Sequence, residues 1–431
     1  MSRFASLQPL RNRDFALLWT GGLISNIGTW MQTVAVGALV RSSGGRNFGT
    51  ALVAAAAFLP IGLLAPVGGA LADRLDRRLW LAVGNFVQAL LAVVLTVLAI
   101  TGRASPRNVT VVVLLTGCVA APTLPFLQAM IPDLVPRDEL LAAAALGSTQ
   151  YNLGRVIGPA LAGIVIATSS YAWTFAANAV SFFAVIVALV FIRKVPRPVS
   201  EPEPLWARIR AGAREAWAEP GCRSAIVLIS VVAFFAAPFI ALIAARAGDL
   251  ASGKVAIGRV TGILTTAQGL GAVTGALLVA PLGERFGRRR MIVGNIVGAS
   301  AALVGYAYAP TVGLAAVALF VVGGLYIGVL AGLNTVVQLR APTAFRGRVL
   351  SFYLVALGVI YPIGALAQGA LADRIHLSNT TAAGAILLVA VLAVIAVTRP
   401  SVLRSLDGAG PAILDELPVD NPAASPSITN P

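Results

Sequence analysis

Charge is scarce in this chain, and so are the residues that hold metals or staple small folds. Only 11% of the 431 residues are charged and 17 are acidic, where a soluble domain carries about 25% charged residues. One histidine, His376, and two cysteines, Cys118 and Cys222, lie far apart, so neither a disulfide framework nor a metal site is expected. Lysine occurs twice, at Lys194 and Lys254, and no Gly-x-x-x-x-Gly-Lys-Ser/Thr loop is present. An ATP site of that type is therefore excluded. Nothing resembles a catalytic triad; neither an enzyme activity nor a cofactor is expected.

Apolar residues fill the space, at 58% of the chain with a mean hydropathy of +0.86. One helical crossing takes about 20 apolar residues. Twelve runs qualify: 16–40, 50–72, 79–100, 109–131, 141–167, 171–192, 224–247, 257–282, 291–309, 312–337, 349–371 and 380–398. The first is longer than a signal-peptide core of about 7–15 residues and is read as retained. With the N-terminus inside, inner segments hold 23 basic residues and outer loops 8, counting Arg246 and Arg259 at the adjoining span ends with the loop, so both termini are expected in the cytoplasm. The net charge of +15 is scattered over short breaks rather than gathered in a stripe. The partners expected are membrane lipids, with no nucleic acid.

These runs divide the chain into a cytoplasmic N-terminal segment (1–15), six spans (16–192), a linker (193–223), six more spans (224–398) and a disordered tail (399–431). The tail is rich in Pro, Ser, Ala and Asp. In the linker, Trp206, Ile209, Ala213 and Trp217 share one helical face while Arg208, Arg210 and Arg214 lie largely elsewhere. Two readings stand: a helix on the inner membrane surface, or a solvated linker.

Repeats define the architecture. Asp73-Arg74-Leu75-Asp76-Arg77-Arg78 follows the second span, and Glu284-Arg285-Phe286-Gly287-Arg288-Arg289 follows the eighth, 211 positions later. A second echo pairs Pro136-Arg137 with the Pro342 to Arg348 stretch, each after the fourth span of a half. Gly69-Ala-Leu-Ala-Asp73-Arg74 also recurs verbatim as Gly369-Ala-Leu-Ala-Asp373-Arg374, which reads either as a nested inverted repeat or as low complexity in an Ala-rich chain.

The acid-Arg-x-Gly-Arg-Arg signature between spans two and three, repeated between eight and nine, resembles the major facilitator superfamily over roughly residues 8–400. Asp76 stands where the pattern has Gly, and Ala280 replaces a leading Gly. Three stretches resemble the branch of enterobactin exporters and macrolide-efflux pumps: Leu10 to Phe15 with Ser25 to Met31, Ile131 to Arg137, and Asn152 to Gly163. The resemblance implies an all-α membrane protein with twelve transmembrane helices in two pseudo-symmetric six-helix bundles. It further implies a monomeric, proton-driven exporter of an amphipathic neutral or anionic small molecule, drug-like or siderophore-like, in a bacterial inner membrane, by alternating access. A nutrient importer of the same fold and a non-transporting scaffold or sensor are the alternatives.

Candidate site residues follow from polarity inside apolar runs. Arg155 lies mid-span, where a cation costs at least about 2.5–3.5 kcal/mol. Either it holds the spans together or it binds an anionic substrate group. No acid lies mid-span, and Asp133, at the inner end of span four, is the nearest in sequence and a candidate for proton coupling. Asn26, Gln32, Gln128, Gln268 and Asn334 are candidate cavity residues, with Thr261, Thr265, Gln338 and Gln368 as further polar marks; helix–helix hydrogen bonding is the competing reading for each. Phe234, Phe235 and Phe239 around Pro238 offer an aromatic wall. Asp73, Arg74 and Arg77 with Glu284, Arg285 and Arg288 are read as gate latches or as topogenic signals. Gly154, Gly158, Pro159 and Gly163 mark close packing and a kink.

Overall fold

The computed structural model describes residues 5–72, 75–193, 205–342 and 345–407, and within these the chain is helical. Twelve segments are long and apolar enough to cross a membrane, matching the twelve runs with ends displaced by a few residues. Ten are single helices: α1 (Arg13–Ser42), α2 (Asn47–Ala72), α3 (Arg77–Ile100), α4 (Pro106–Met130), α5 (Leu140–Thr168), α6 (Tyr171–Phe191), α10 (Lys254–Phe286), α11 (Arg288–Ala307), α12 (Val312–Arg340) and α15 (Leu377–Thr398). Two are interrupted. Span seven is α8 (Pro220–Phe235) plus α9 (Phe239–Leu250), and span eleven is α13 (Arg346–Val355), a π turn (Ala356–Ile360) and α14 (Tyr361–Ile375). The linker contributes α7 (Leu205–Ala218), and α16 (Pro400–Arg404) follows the last span.

Short polar signals start these helices. Ser105 accepts from Asn108 N with Pro106 in the first turn of α4; Glu219 accepts from Cys222 N with Pro220 next to it; Thr311 accepts from Leu314 N at the start of α12. Each satisfies a backbone N–H that the helix itself leaves orphaned. Asp76, the departure from the repeated signature, caps α3 through Leu79 N. The other copy keeps Gly287, whose φ of 80° suits a glycine turn between α10 and α11. The same corner is thus turned by two devices.

Span seven breaks because Pro238 has no N–H for the carbonyl of Phe234. The Phe234 and Phe235 carbonyls instead accept from Gln368 Nε2 in α14, at 3.0 and 2.9 Å. Gln368 therefore stitches the break.

The two halves repeat their packing. In the first, α2 lies on α4, and α3 on α4 and α6; in the second, α10 lies on α12, and α11 on α12 and α15. Two seams join the halves. Along α5–α10, an added Cβ at Gly262 would stand 2.8 Å from Gly163 Cα and Pro159 O, and one at Gly269 2.9 Å from Arg155 O. Along α2–span eleven, Gly62 meets Gly358, and a Cβ added at Gly369 would stand 3.1 Å from Phe48 Cα. Both seams run from mid-bundle to the end opposite the two termini, called here the far end.

Toward the terminal end the same faces lie bare. On α5, Arg155 and Pro159 are buried but Tyr151, Ser148 and Ala144 are exposed; on α10, Gly262 and Gly269 are buried but Ala276 and Ala280 are exposed. The bundle is closed at the far end and open at the terminal end.

The tail needs a correction. Residues 400–407, expected to be disordered from 399 onward, form α16 and a docked turn. Leu406 is fully buried, Ser405 Oγ bonds Ser224 Oγ at 2.9 Å, and Asp407 accepts from Arg289 N at 2.9 Å. One leucine and one capping acid suffice to hold this short segment. Residues 408–431 lie outside the described residues, as do Asp73 and Arg74 of the first latch. In α7, Gly212 and Ala216 turn inward, Gly212 against Arg348 and Phe352 of α13, while Arg210, Arg214 and Trp217 are exposed.

Candidate substrate path and gates

Arg155 sits mid-bundle where the α5–α10 seam ends, only 8% exposed. Its Nε is buried without a hydrogen-bond partner, and no carboxylate among the described residues pairs with it. Its guanidinium carbon lies 6.0 Å from the centre of the Trp30 ring, a cation–π contact. Beside it on α10, Gln268 is 2% exposed and its Nε2 also lacks a partner. The hydroxyl of Tyr361, 7% exposed, is a third unpartnered group. Tyr361 packs against Phe58 of α2 on the other seam, and Tyr326 of α12 packs against Phe239 of α9.

All three unpartnered groups can donate. A buried donor without an acceptor costs about 1–3 kcal/mol, and more when charged. The arrangement therefore calls for an acceptor-rich or anionic guest. Aromatic rings border it: Trp30 stands edge-on to Tyr151 at 5.8 Å, Phe58 to Tyr361 at 5.5 Å, and Phe239 to Tyr326 at 5.9 Å. Of these rings the sequence reading named only Phe239. Its overlooked signal was the tyrosines deep inside apolar runs, away from the interfacial positions tyrosine favours.

Several other predicted residues are engaged in helix packing. Asn26 donates to Gln150 O in α5 at 3.2 Å, and Gln150 returns a bond to Trp19 O at 2.6 Å. Gln32 Oε1 accepts from Asn178 of α6 at 2.9 Å, buried on both sides. Thr261 and Thr265 bond carbonyls one turn back on their own helix. Asn334 and Gln338 bond one another, and Gln128 is exposed. Gly154 and Gly158 admit α1 closely, with Asn26 and the Trp30 Cβ against their backbones; Pro159 and Gly163 face α10.

At the terminal end, the contacts described for the signature residues lie within each half. Arg77 donates to Asp133 Oδ2 at 2.7 Å and to Ala129 O at 2.6 Å, tying α3 to the end of α4. Asp133 thus has Arg77, and not Arg155, as its partner. Arg288 donates to Leu406 O at 3.3 Å; Arg285 lies over the Phe286 ring; Glu284 is exposed.

The far end is where charges cross between halves. Asp373, at the end of α14, accepts from Asn47 N at 2.9 Å and Phe48 N at 3.2 Å, so it caps α2. Arg46 adds an ion pair at 3.8 Å, and Asn47 Nδ2 donates to Ala372 O at 3.2 Å. Next to this, Arg41 of α1 pairs with Asp249 at 2.9 Å. Arg246, also in α9, is buried; it lies 3.9 Å from Asp249 and donates to Ala309 O at 2.7 Å. Arg41, Arg46, Asn47, Asp249 and Asp373 line a cleft of about 510 Å³. Asp373 belongs to the verbatim hexapeptide copy.

Twelve crossings in two similarly packed six-helix bundles define a multi-pass membrane protein. The chain belongs to the transmembrane secretion effector family, which matches residues 4–422. It is similar to the multidrug efflux pump Tap of Mycolicibacterium fortuitum, 26% identical over 400 residues, covering 91% of this chain and 96% of that protein. It is also similar to the enterobactin exporter EntS of Escherichia coli O1:K1, 27% identical over 289 residues, covering 67% of this chain and 68% of the relative. Among solved structures, a bacterial homologue of the human lysosomal transporter Spinster, inward-facing and occupied, superposes with a TM-score of 0.72 at 15% identity, covering 92% of this chain and 98% of the other. A bacterial homologue of the iron transporter ferroportin gives 0.68 at 15% identity, covering 92% and 99%.

Proposed function

We propose that this protein exports amphipathic small molecules bearing a negative charge, as a monomer in a bacterial inner membrane. The terminal end faces the cytoplasm, in keeping with the 23 to 8 bias of basic residues, so the open side is the loading side. The observation that carries this reading is the set of buried donors without acceptors: Arg155 Nε, Gln268 Nε2 and the Tyr361 hydroxyl. A carboxylate or phosphate supplies the acceptors that such donors lack, and the surrounding rings take the apolar remainder of the guest. Arg155 is a binding residue here, and Asn26 and Gln32 are supports. The relatives named as an efflux pump and an exporter favour the outward direction.

Alternating access then follows from the two ends. Asp373 and the Arg41–Asp249 pair lock the far end in the state described. Asp73 and Glu284, with Arg74, Arg77, Arg285 and Arg288, take over as latches when the terminal end closes. Protons drive the cycle through a carboxylate at a span end. Asp133 suits that part, because its protonation weakens the bond to Arg77.

The test is accumulation of an anionic amphipathic dye in everted vesicles under an imposed proton gradient. Wild type accumulates it, Arg155→Gln raises the half-saturating concentration about 30-fold or more, and Arg155→Lys recovers part of the loss. Uptake only by right-side-out vesicles, or equal transport of the dye by Arg155→Gln, overturns the reading.

A further inference from the structure

We infer that a cleft at the terminal end, between α11, α15 and α16, binds the headgroup of one anionic phospholipid. The cleft holds about 260 Å³ and is lined by Arg289, Arg290 and Arg404 together with Val293, Ala396 and Leu403. Asp407 offsets only one of the three cations, lying 3.5 Å from Arg289 Nε. Arg290 and Arg404 are exposed and have no ion-pair partner among the described residues. Two uncompensated guanidinium groups turned to one hollow repel each other, and the first turn of α11 adds its own positive end. A phosphodiester relieves all of this, since its oxygens accept forked bonds from guanidinium.

The first half shows what the cleft lacks. By the pseudo-symmetry, α3 corresponds to α11 and α6 to α15. In the first half Arg78 donates to Val190 O at 2.9 Å, spending its charge on the end of α6. No described bond from Arg289 or Arg290 reaches α15, and a hollow remains in its place.

The walls favour a lipid over a soluble anion. Gly294 has open space at its Cβ position, and Ala393 and Ala396 present only methyl groups, which leaves a shallow furrow between α11 and α15. The flanking Val297, Val394 and Val397 are exposed apolar surface. An acyl chain in that furrow continues the membrane face, while the headgroup sits among the arginines at the level where basic pockets meet anionic lipid. None of these residues belongs to the transport site.

The experiment is native mass spectrometry of the full-length protein in detergent, titrated with phosphatidylglycerol, phosphatidylcholine or inorganic phosphate. Wild type retains one phosphatidylglycerol in preference to phosphatidylcholine. Arg290→Gln/Arg404→Gln lowers that affinity about 10- to 30-fold, as expected for two interfacial cations, and Arg290→Lys/Arg404→Lys largely restores it. Arg103→Gln, a basic site at the far end, leaves it unchanged, which controls for net charge. Lipid-free thermal unfolding of the Gln double variant matches wild type, so loss of binding is not loss of fold. Equal phosphatidylglycerol affinity in wild type and the Gln double variant overturns the proposal. So does inorganic phosphate competing as well as the lipid, because the site then recognises a free anion.

Discussion

Replacing Asp373 tests whether the far end is held by the acid of the repeated hexapeptide. Its carboxylate accepts two backbone N–H groups of the first turn of α2 and is itself 15% exposed. An N-cap acceptor contributes about 1 kcal/mol, and a charge at a helix N-terminus about 0.3–1 kcal/mol. Arg46 adds little, being 75% exposed. Asp373→Ala therefore removes about 1.5–2 kcal/mol from the far-end-closed state, since α2 and α14 belong to opposite halves and part when that end opens. At about 1.4 kcal/mol per decade, the ratio of open to closed molecules rises about 10- to 30-fold. Asp373→Asn keeps one acceptor oxygen and shifts it about 3- to 5-fold. Spin labels at Ser43→Cys and Ser252→Cys, on exposed loops of opposite halves, read the change by pulsed dipolar spectroscopy in a background with Cys118→Ser and Cys222→Ala. A short-distance population giving way to a longer one in the order wild type, Asn, Ala is expected. Distributions unchanged in Asp373→Ala refute the lock.

Three further outcomes are expected. Gln368→Ala leaves the Phe234 and Phe235 carbonyls unsatisfied at the break of span seven and lowers stability by about 1–3 kcal/mol, read as a drop in thermal melting temperature in detergent. Asp133→Asn separates coupling from packing: if Asp133 carries the proton, downhill efflux persists while uphill accumulation fails, and equal loss of both assigns Asp133 to structure alone. Arg41→Gln opens the far end as Asp373→Asn does, and because both residues line one charged cleft the double variant departs from additivity in the free energy of opening; strict additivity contradicts a single shared lock.

The spans were legible because twelve crossings leave a hydropathy trace that needs no tertiary information, and Arg155 stood out because a cation is rare inside one. Polar neighbours were harder to sort. Gln32, Gln268 and Gln368 look alike in sequence, each a lone amide in an apolar run. Yet the first accepts from Asn178, the last donates to carbonyls freed by Pro238, and Gln268 buries its amide nitrogen without a partner. That distinction depends on which residue stands opposite, which helical periodicity does not encode. The break of span seven was hinted at by Pro238, but the side chain that repairs it lies 130 positions away in the sequence. Asp373 was legible as a repeat and not as a contact. Docking of the tail was hidden because a Pro- and Ser-rich composition outweighed one buried leucine.

Gly269 links the two parts of the reading, since the backbone of α10 passes so close to α5 there that a Cβ would stand 2.9 Å from the carbonyl of Arg155 and 3.4 Å from Val156 Cγ2. The innermost contact of the far-end seam is thus the peptide that carries Arg155, the cation assigned to binding in the proposed function. On that proposal, parting the seam moves this peptide relative to α10, so opening of the far end alters the guest site directly. Gly269→Ala inserts a methyl group at this point, and overpacking of this kind costs about 1–3 kcal/mol. The variant should both lengthen the Ser43–Ser252 label distance and weaken binding of an anionic dye, although it touches neither the far-end charges nor the guanidinium. Weaker binding with an unchanged label distribution would mean that the arginine and the seam move independently, and the coupling of load to gate would have to run through another helix.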